Sequence, residues 1–448
     1  MNLYSKLQRL NEANSPIRVG MIGAGKFGTM FLAQVRKIPG IHVAGIVELN
    51  PETARSNLRY VGWPEEQFNA TSFDDAIAHK TTHVSDNWGA LIKYSGIEII
   101  IECTGDPIAA VKHCLAAFSE GKHVINVTVE ADAFCGAGLS NKAKAANVIY
   151  SMAYGDQPAL TAELVDWART SGFSVIAAGR GHKWLPHYRK STPETVWKHW
   201  GINVEQAARG RLNAKMFNAF LDGSKPAIES AAIANATGLN APKNGLTFPP
   251  GSVDDIPTLM RPISEGGVLE SKGLVEVISC ITTEGKAIPY DLRKGVWVCF
   301  EADTQYLKNC FKEYKWVTDP SGKYMSHYKR WHLIGLEFAI SIASVGIRNE
   351  ATGVANFFQA DVAAIAKRGL KAGEILDGEG GYTVSGGLRP SKISLAKGYL
   401  PLGLAKGVKL KNAVTDGKPL TWNDVTIDET TEAYKLRREM EGIKTALC

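Results

Sequence analysis

Three sets of residues in this 448-residue chain have the types and spacing for chemistry. The first is Gly23-Ala24-Gly25-Lys26-Phe27-Gly28, followed twenty residues later by Glu48. Glycine at the first position permits a tight turn, at the second it lets a pyrophosphate approach the backbone, and at the third it lets a helix pack close to a strand. A carboxylate at the distance of Glu48 accepts the hydroxyls of an adenosine ribose. It repels a 2′-phosphate and so favours NAD(H), while Arg55 is a candidate for offsetting that repulsion; NADP(H) therefore stays open. The second set follows three later apolar runs. Cys103-Thr104-Gly105 either borders a nicotinamide ribose or makes an ordinary strand-to-helix turn. Glu130, Asp132 and Asp156 are candidates for proton transfer or for a divalent cation such as Mg²⁺ or Mn²⁺. Asp132 has the plainer alternative of a helix N-cap.

The third set is basic. Between Gly179 and Trp200 there are five Lys or Arg, three of the ten His, and one acid, Glu194. Arg180, His182, Arg189, Lys190, Ser191 and Thr192 make a donor set suited to a phosphate or carboxylate. Trp184, Tyr188, Trp197 and Trp200 lie among them and argue against a fully solvated loop. Lys183 is the candidate for polarising a carbonyl oxygen as hydride arrives. Asp222, Lys225 and Glu229 lie in a helical stretch, 214–234, which Gly223 and Pro226 interrupt; they are candidates to face the substrate, Lys225 and Glu229 as catalytic groups and Glu229 for proton transfer or a divalent cation. His332 reads as a packed or capping histidine at the head of an apolar helix over 331–345.

The elements that must position these residues alternate. Strands are expected at 17–22, 41–47, 97–105, 123–129 and 148–153, with helices at 29–36, 107–120 and 141–146. Alternation of this kind predicts an α/β fold with a doubly wound parallel sheet of Rossmann type, whose ligands bind beyond the carboxyl ends of the strands. Residues 173–178, 273–282 and 295–302 read as strands of a second sheet, and the tail as a small β-rich module with pieces at 400–404, 408–411 and 420–425 before a charged helix at 432–444. Between Arg389 and Lys418 the tail holds seven Lys or Arg and one acid, either a solvated face or a lid over an anion.

Composition bounds the rest. Hydrophobic residues are 45% and charged residues 21%, which excludes disorder and low complexity as descriptions of the whole. A net charge of +6 is mild for this length; it gives no reason to expect nucleic acid and suits a small anionic ligand. Seven cysteines with no Cys-x-x-Cys point away from a disulfide framework or a zinc ribbon. No apolar run is long enough for a membrane span, and the N-terminus lacks a signal-peptide core, so a cytoplasmic protein is expected.

Four motifs resemble the family of predicted homoserine dehydrogenases with a C-terminal SAF domain. They are Ile22 to Gly28; Tyr154-Gly155-Asp156-Gln157-Pro158-Ala159-Leu160; Leu185 to Trp197, ending in Ser191-Thr192-Pro193-Glu194-Thr195-Val196-Trp197; and Leu400-Pro401-Leu402-Gly403-Leu404-Ala405-Lys406-Gly407-Val408-Lys409-Leu410. The resemblance implies a Rossmann domain (1–157), an α+β catalytic and dimerisation domain (158–358), a SAF-like tail (359–448) and a homodimer. Some members are reductoisomerase-like enzymes of isoprenoid synthesis, which convert 1-deoxy-D-xylulose 5-phosphate to 2-C-methyl-D-erythritol 4-phosphate with NADPH. Residues 221–228 are similar to a segment of true homoserine dehydrogenase with its central residues changed. The expectation is an NAD(P)-dependent oxidoreductase of a small anionic polyol, most concretely that reductoisomerase. A homoserine or sugar-acid dehydrogenase is the alternative within enzymes, and a cofactor-binding sensor the alternative outside them.

Overall fold

The computed structural model describes residues 2–446, so Cys448 lies outside the described residues. Six strands, β1 (Ile17–Ile22), β2 (Ile41–Val47), β3 (His83–Ser85), β4 (Ile99–Glu102), β5 (His123–Asn126) and β6 (Tyr150–Met152), form an all-parallel sheet in the order β3-β2-β1-β4-β5-β6. This is the doubly wound Rossmann order, and it reverses between β1 and β4. The central strands β1 and β4 are buried along nearly their whole length because a parallel sheet of this kind is covered on both faces. Helix starts follow local chemistry: Asp106 accepts hydrogen bonds from the amides of Ile108 and Ala109, with Pro107 at the first helical position.

By its contacts the chain divides into two compact units, residues 1–160 with 333–354, and residues 161–332 with 355–448. The division differs from three consecutive segments in two ways: residues 333–354 return to the first unit, and 359–448 share a unit with 161–332. Apolar contact explains the return. Phe338 is fully buried, with its ring edge-on to Phe27 at 5.2 Å and to Phe31 at 5.1 Å. Ile342 and Val345 join the same core. Polar bonds fix the register beside β6: the amide of Met152 donates to the carbonyl of Gly353, and the hydroxyl of Thr352 to the carbonyl of Met152. The expected helix over 331–345 is correspondingly shorter. Residues 333–338 form turns packed on the helix Lys26–Val35, and helix begins at Ala339.

The second unit is built on β7 (Ser174–His182), β8 (Leu274–Ser279), β9 (Val296–Glu301) and β10 (Tyr324–Lys329), in the order β10-β9-β7-β8. Only the β7–β8 pair is parallel. The strand expected to end near Ala178 runs on through His182. Gly179 and Gly181 are strand residues, required because a Cβ at either would overlap a backbone carbonyl, that of Glu276 or of Leu292. In the tail, β11 (Ala360–Ala366) pairs antiparallel with β12 (Val384–Pro390), and β13 (Lys409–Leu410) with β14 (Val425–Thr426). The piece expected as a strand at 400–404 is a 3-10 turn. The last helix, Glu432–Ala446, is not merely a charged exterior segment. The fully buried guanidinium of Arg437 donates to both oxygens of Asp361 on β11, at 2.9 and 2.7 Å.

Replacing Phe338 by Ala should destabilise the protein by about 3–5 kcal/mol, the cost of emptying a filled aromatic site. A drop in the urea midpoint at constant slope checks this. An unchanged midpoint would show that the returning segment adds nothing to the core.

Candidate functional site

In the first unit the glycine fingerprint sits where the strand order reverses. Gly23 has φ +93°, and a Cβ there would lie 2.7 Å from the carbonyl oxygen of Cys103. Gly28 is squeezed between the Gly23 carbonyl and the Met21 methyl, at 3.2 and 3.3 Å from a Cβ position. Gly25 is different. It caps the helix Lys26–Val35 with nothing within 4 Å of where its Cβ would be, so the helix N-terminus with its unpaired amides faces open space. Lys26 is exposed. Phe27, expected at the cofactor, turns its ring onto Phe338 instead and leaves its backbone to the loop. Ala24 is buried, and its amide donates to Oε2 of Glu48 at 2.8 Å. The other oxygen of Glu48 accepts from the Leu49 amide at 3.0 Å. Glu48 therefore holds the glycine turn, and each oxygen keeps capacity for a ribose hydroxyl. The guanidinium of Arg55 donates to the carbonyl of Val84.

The turn after β4 is held by a residue that sequence reasoning missed. Glu102 is fully buried; the hydroxyl of Thr104 donates to it at 2.6 Å, the hydroxyl of Thr128 also donates to it, and His113 lies 3.3 Å away. The Gly105 amide donates in turn to the Thr128 hydroxyl. A carboxylate closing the carboxyl end of the strand Ile99 to Ile101 was the available signal. The Cys103 thiol donates to the Gly23 carbonyl at 2.8 Å, and burial pushes its pKa well above the ordinary value.

Asp132 is not an N-cap. The helix runs from Val129 to Ala145 with Thr128 before it, so the expected helix over 141–146 starts twelve residues too late. Asp132 lies one turn inside, fully buried, and accepts from the Tyr150 hydroxyl at 2.7 Å and from the Asn126 amide at 2.9 Å. Burial, reinforced by the charges of Asp156 and Glu130, pushes its pKa up to about 7. Asp156 is buried and accepts from the Gln157 amide, whereas Glu130 is half-buried. Among the described residues no group of three or more His, Cys, Asp or Glu is arranged to hold a metal ion, and Asp132 is already engaged by its two donors. The residues do not fit the divalent cation expected of them.

In the second unit the basic set divides. Arg180 and Glu229, expected at the anion and in proton transfer, form a buried ion pair with each other. Strand alternation along β7 sends Arg180 inward. His182, also inward, is held by the Phe220 carbonyl, and burial next to Arg180 lowers its pKa to about 3, so it is a neutral core residue. His332 caps the carbonyl of Lys294, as a packed histidine would. Lys183 is half-buried, donates to the His199 carbonyl at 2.6 Å and lies 5.7 Å from the centre of the Trp200 ring. Burial and the charge of Arg293 lower its pKa. Lys190 is exposed and spoken for by the carbonyl of Lys367 and the carboxylate of Asp416. The Thr192 amide donates to the Thr195 hydroxyl in a local turn. Lys225 is half-buried in the first turn of the helix Ser224–Thr237, and the break expected at Gly223 is present. Arg189 packs over Trp184 at 5.1 Å, and Ser191 is buried. Two tail residues that sequence reasoning did not connect to this set reach it: Lys367, which donates to the Ser191 carbonyl, and Arg389, whose charge acts on Arg189.

Residues 155–338, less than half of the chain, match the family model described as oxidoreductase DRL, catalytic domain. No curated protein matches in sequence. Among solved structures the chain is similar to an NAD-binding oxidoreductase from Klebsiella pneumoniae (14% identity, TM-score 0.29, 39% of this chain and 47% of that one). It is also similar to an oxidoreductase domain protein from Kribbella flavida (17%, 0.28, 39% and 46%) and to myo-inositol dehydrogenase from Lactobacillus casei (14%, 0.30, 40% and 50%). The chain spans about half the length of these structures or less, and scores at this level carry no argument about activity. No helix among the described residues is long and apolar enough to cross a membrane.

Two outcomes follow from the geometry. On the expectation that Glu48 meets an adenosine ribose, Glu48→Gln should shift the ratio of NADH to NADPH affinity at least about tenfold toward NADPH, because a carboxylate placed there repels a 2′-phosphate; direct titration of both nucleotides reads this. Asp132 releases its proton near pH 4 when unfolded and near 7 when folded. Between those values the folded state binds more protons, so this group's contribution to stability falls as pH rises from about 4 to 7. Asp132→Asn should flatten that part of a stability–pH curve. Glu276, likewise buried and pushed to about 7, would keep a residual slope.

Proposed function

We propose that the chain is a nicotinamide-dependent oxidoreductase acting on a small anionic polyol. The observation that carries this reading is the open helix N-terminus at Gly25, with the Glu48 carboxylate bonded to the same loop. It joins an anion-accepting terminus for a pyrophosphate to an acceptor for ribose hydroxyls. The similarity of residues 155–338 to an oxidoreductase catalytic domain supports the same class of reaction. When bound, the nicotinamide supplies or accepts a hydride. Glu48 orients the ribose and disfavours a 2′-phosphate, which makes NAD(H) the preferred cofactor. Lys183 polarises the substrate carbonyl: the lowered pKa makes its ammonium a better proton donor, and two of its three N–H groups remain beyond the one given to His199. Glu130, Asp156 and Lys225 are the proposed proton carriers.

The finer reading is reductoisomerase. The carbon skeleton of 1-deoxy-D-xylulose 5-phosphate rearranges to an aldehyde. A hydride and a proton then reduce the aldehyde to the alcohol of 2-C-methyl-D-erythritol 4-phosphate, leaving oxidised cofactor.

Nicotinamide absorbance tests both levels. Purified protein is given the sugar phosphate with NADH or NADPH, with and without Mg²⁺ or Mn²⁺. Cofactor consumption that depends on the sugar phosphate, slowed about 10²–10⁴-fold in Lys183→Met with cofactor binding unchanged, is the expected result. Cofactor binding without consumption removes this substrate and moves the search to sugar acids and homoserine in the oxidative direction. Failure to bind either nucleotide removes the oxidoreductase reading altogether.

A further inference from the structure

The second unit holds two guanidinium groups in a setting that lacks a counter-ion. Arg189 is half-buried, with its guanidinium over the Trp184 ring and no ion pair among the described residues. Arg389, from the end of β12, is also half-buried, and its guanidinium donates to the carbonyl of its own neighbour, Leu388. Each is disfavoured as a cation by burial, and Arg389 adds its repulsion to Arg189. Among the described residues Asp222 is the carboxylate whose charge acts on Arg189, and it is already committed: one oxygen accepts from the Lys367 ammonium at 3.0 Å and the other from the Ser224 amide at 2.9 Å. Two like charges withdrawn from water without a partner cost free energy that a bound anion would offset.

The surroundings point to an oxyanion. The indole N–H of Trp184 and the hydroxyl of Ser191 are both buried and have no hydrogen-bond partner. Buried donors are ordinarily satisfied, so these two orphans, one on the ring beneath Arg189 and the other two residues along the chain from it, call for an acceptor. Glycines line the approach. A Cβ at Gly223 would lie 3.5 Å from the Trp184 indole nitrogen, and one at Gly245 2.8 Å from a guanidinium nitrogen of Arg389. The segment 245–248 reaches both halves: Gly245 meets Arg389, and Phe248 stacks on Trp184 at 4.2 Å.

We propose that Arg189, Arg389, Trp184 and Ser191 form a binding subsite for a phosphate monoester. Two positive charges with additional neutral N–H and O–H donors match a dianion with three terminal oxygens better than a carboxylate. The assignment of that phosphate to the substrate rests on the oxidoreductase reading above; the anion site itself rests on the side chains alone. One arginine lies within the matched segment 155–338 and the other in the tail, so the site is incomplete without residues beyond that segment.

The test is titration of inorganic phosphate into the full chain without nicotinamide, followed by calorimetry, with acetate at matched ionic strength in parallel. Saturable phosphate binding is expected, weakened at least tenfold in Arg189→Met and in Arg389→Met, and less so in Arg389→Lys and in Trp184→Phe, which keeps the stack on Phe248. Circular dichroism and thermal midpoints identify any variant that fails to fold, and Arg389→Lys then carries the comparison. Absence of saturable binding, binding indifferent to Arg389→Lys and Trp184→Phe, or acetate binding as tightly as phosphate would each overturn the proposal. Phosphate binding in a protein that turns over no nicotinamide would keep the site and discard the oxidoreductase reading; turnover without phosphate binding would do the reverse.

Discussion

A buried ammonium organises the second unit. Lys367 follows β11 and is almost wholly withdrawn from solvent, a placement costing several kcal/mol unless every proton finds an acceptor. It finds three: the carbonyl of Ser191, the carboxylate of Asp222 and the carbonyl of Gly381 at 2.8 Å. These lie in the basic loop, at the break between two helices, and in the glycine turn before β12. Asn218 adds a parallel tie, donating to the carbonyls of Ser191 and Gly380. One charge thus fixes the backbone of three remote segments, and by engaging Asp222 it leaves Arg189 without a counter-ion. The anion-ready character of Arg189 and Arg389 is a consequence of where Lys367 spends its hydrogen bonds.

The first unit uses carboxylates in the same economical way. Glu48 braces the glycine turn through the Ala24 amide, and Glu102 braces the next turn through Thr104 and Thr128. Both stand at the carboxyl ends of neighbouring regions of the sheet, where a dinucleotide lies in folds of this order. Charge there positions backbone amides, and the amides face the open side of the loop.

The glycine turn and the helix that starts at Lys26 were legible because their signals are local, lying within about thirty residues together with Glu48, which accepts from the Ala24 amide. The alternation of strands and helices gave the parallel sheet for the same reason. Elements without local signal were missed. β3 is three residues long, with His83 and Ser85 on either side of one Val. The helix Val129–Ala145 is buried nearly all round, which erases the 3.6-residue periodicity that marks a surface helix. The basic loop misled in a specific way. Its first residues continue a strand, and strand alternation turned Arg180 and His182 into the core, where Glu229 and a carbonyl satisfy them. Lys367 and Arg389 could not be connected to Ser191 and Arg189 from sequence, because nothing local to any of the four announces the others.

The return of residues 333–354 to the first unit has a bearing on how the protein is made. A ribosome delivers the whole six-stranded sheet early, yet the aromatic side chain that seats between Phe27 and Phe31 emerges only after the sheet β7–β10 has been synthesised. At about 5–20 residues per second, the nascent sheet waits on the order of ten seconds or more with that apolar face uncovered. During this interval the face is a surface for a chaperone, or for premature association with another nascent chain. Translation speed across the middle of the message therefore becomes a determinant of yield.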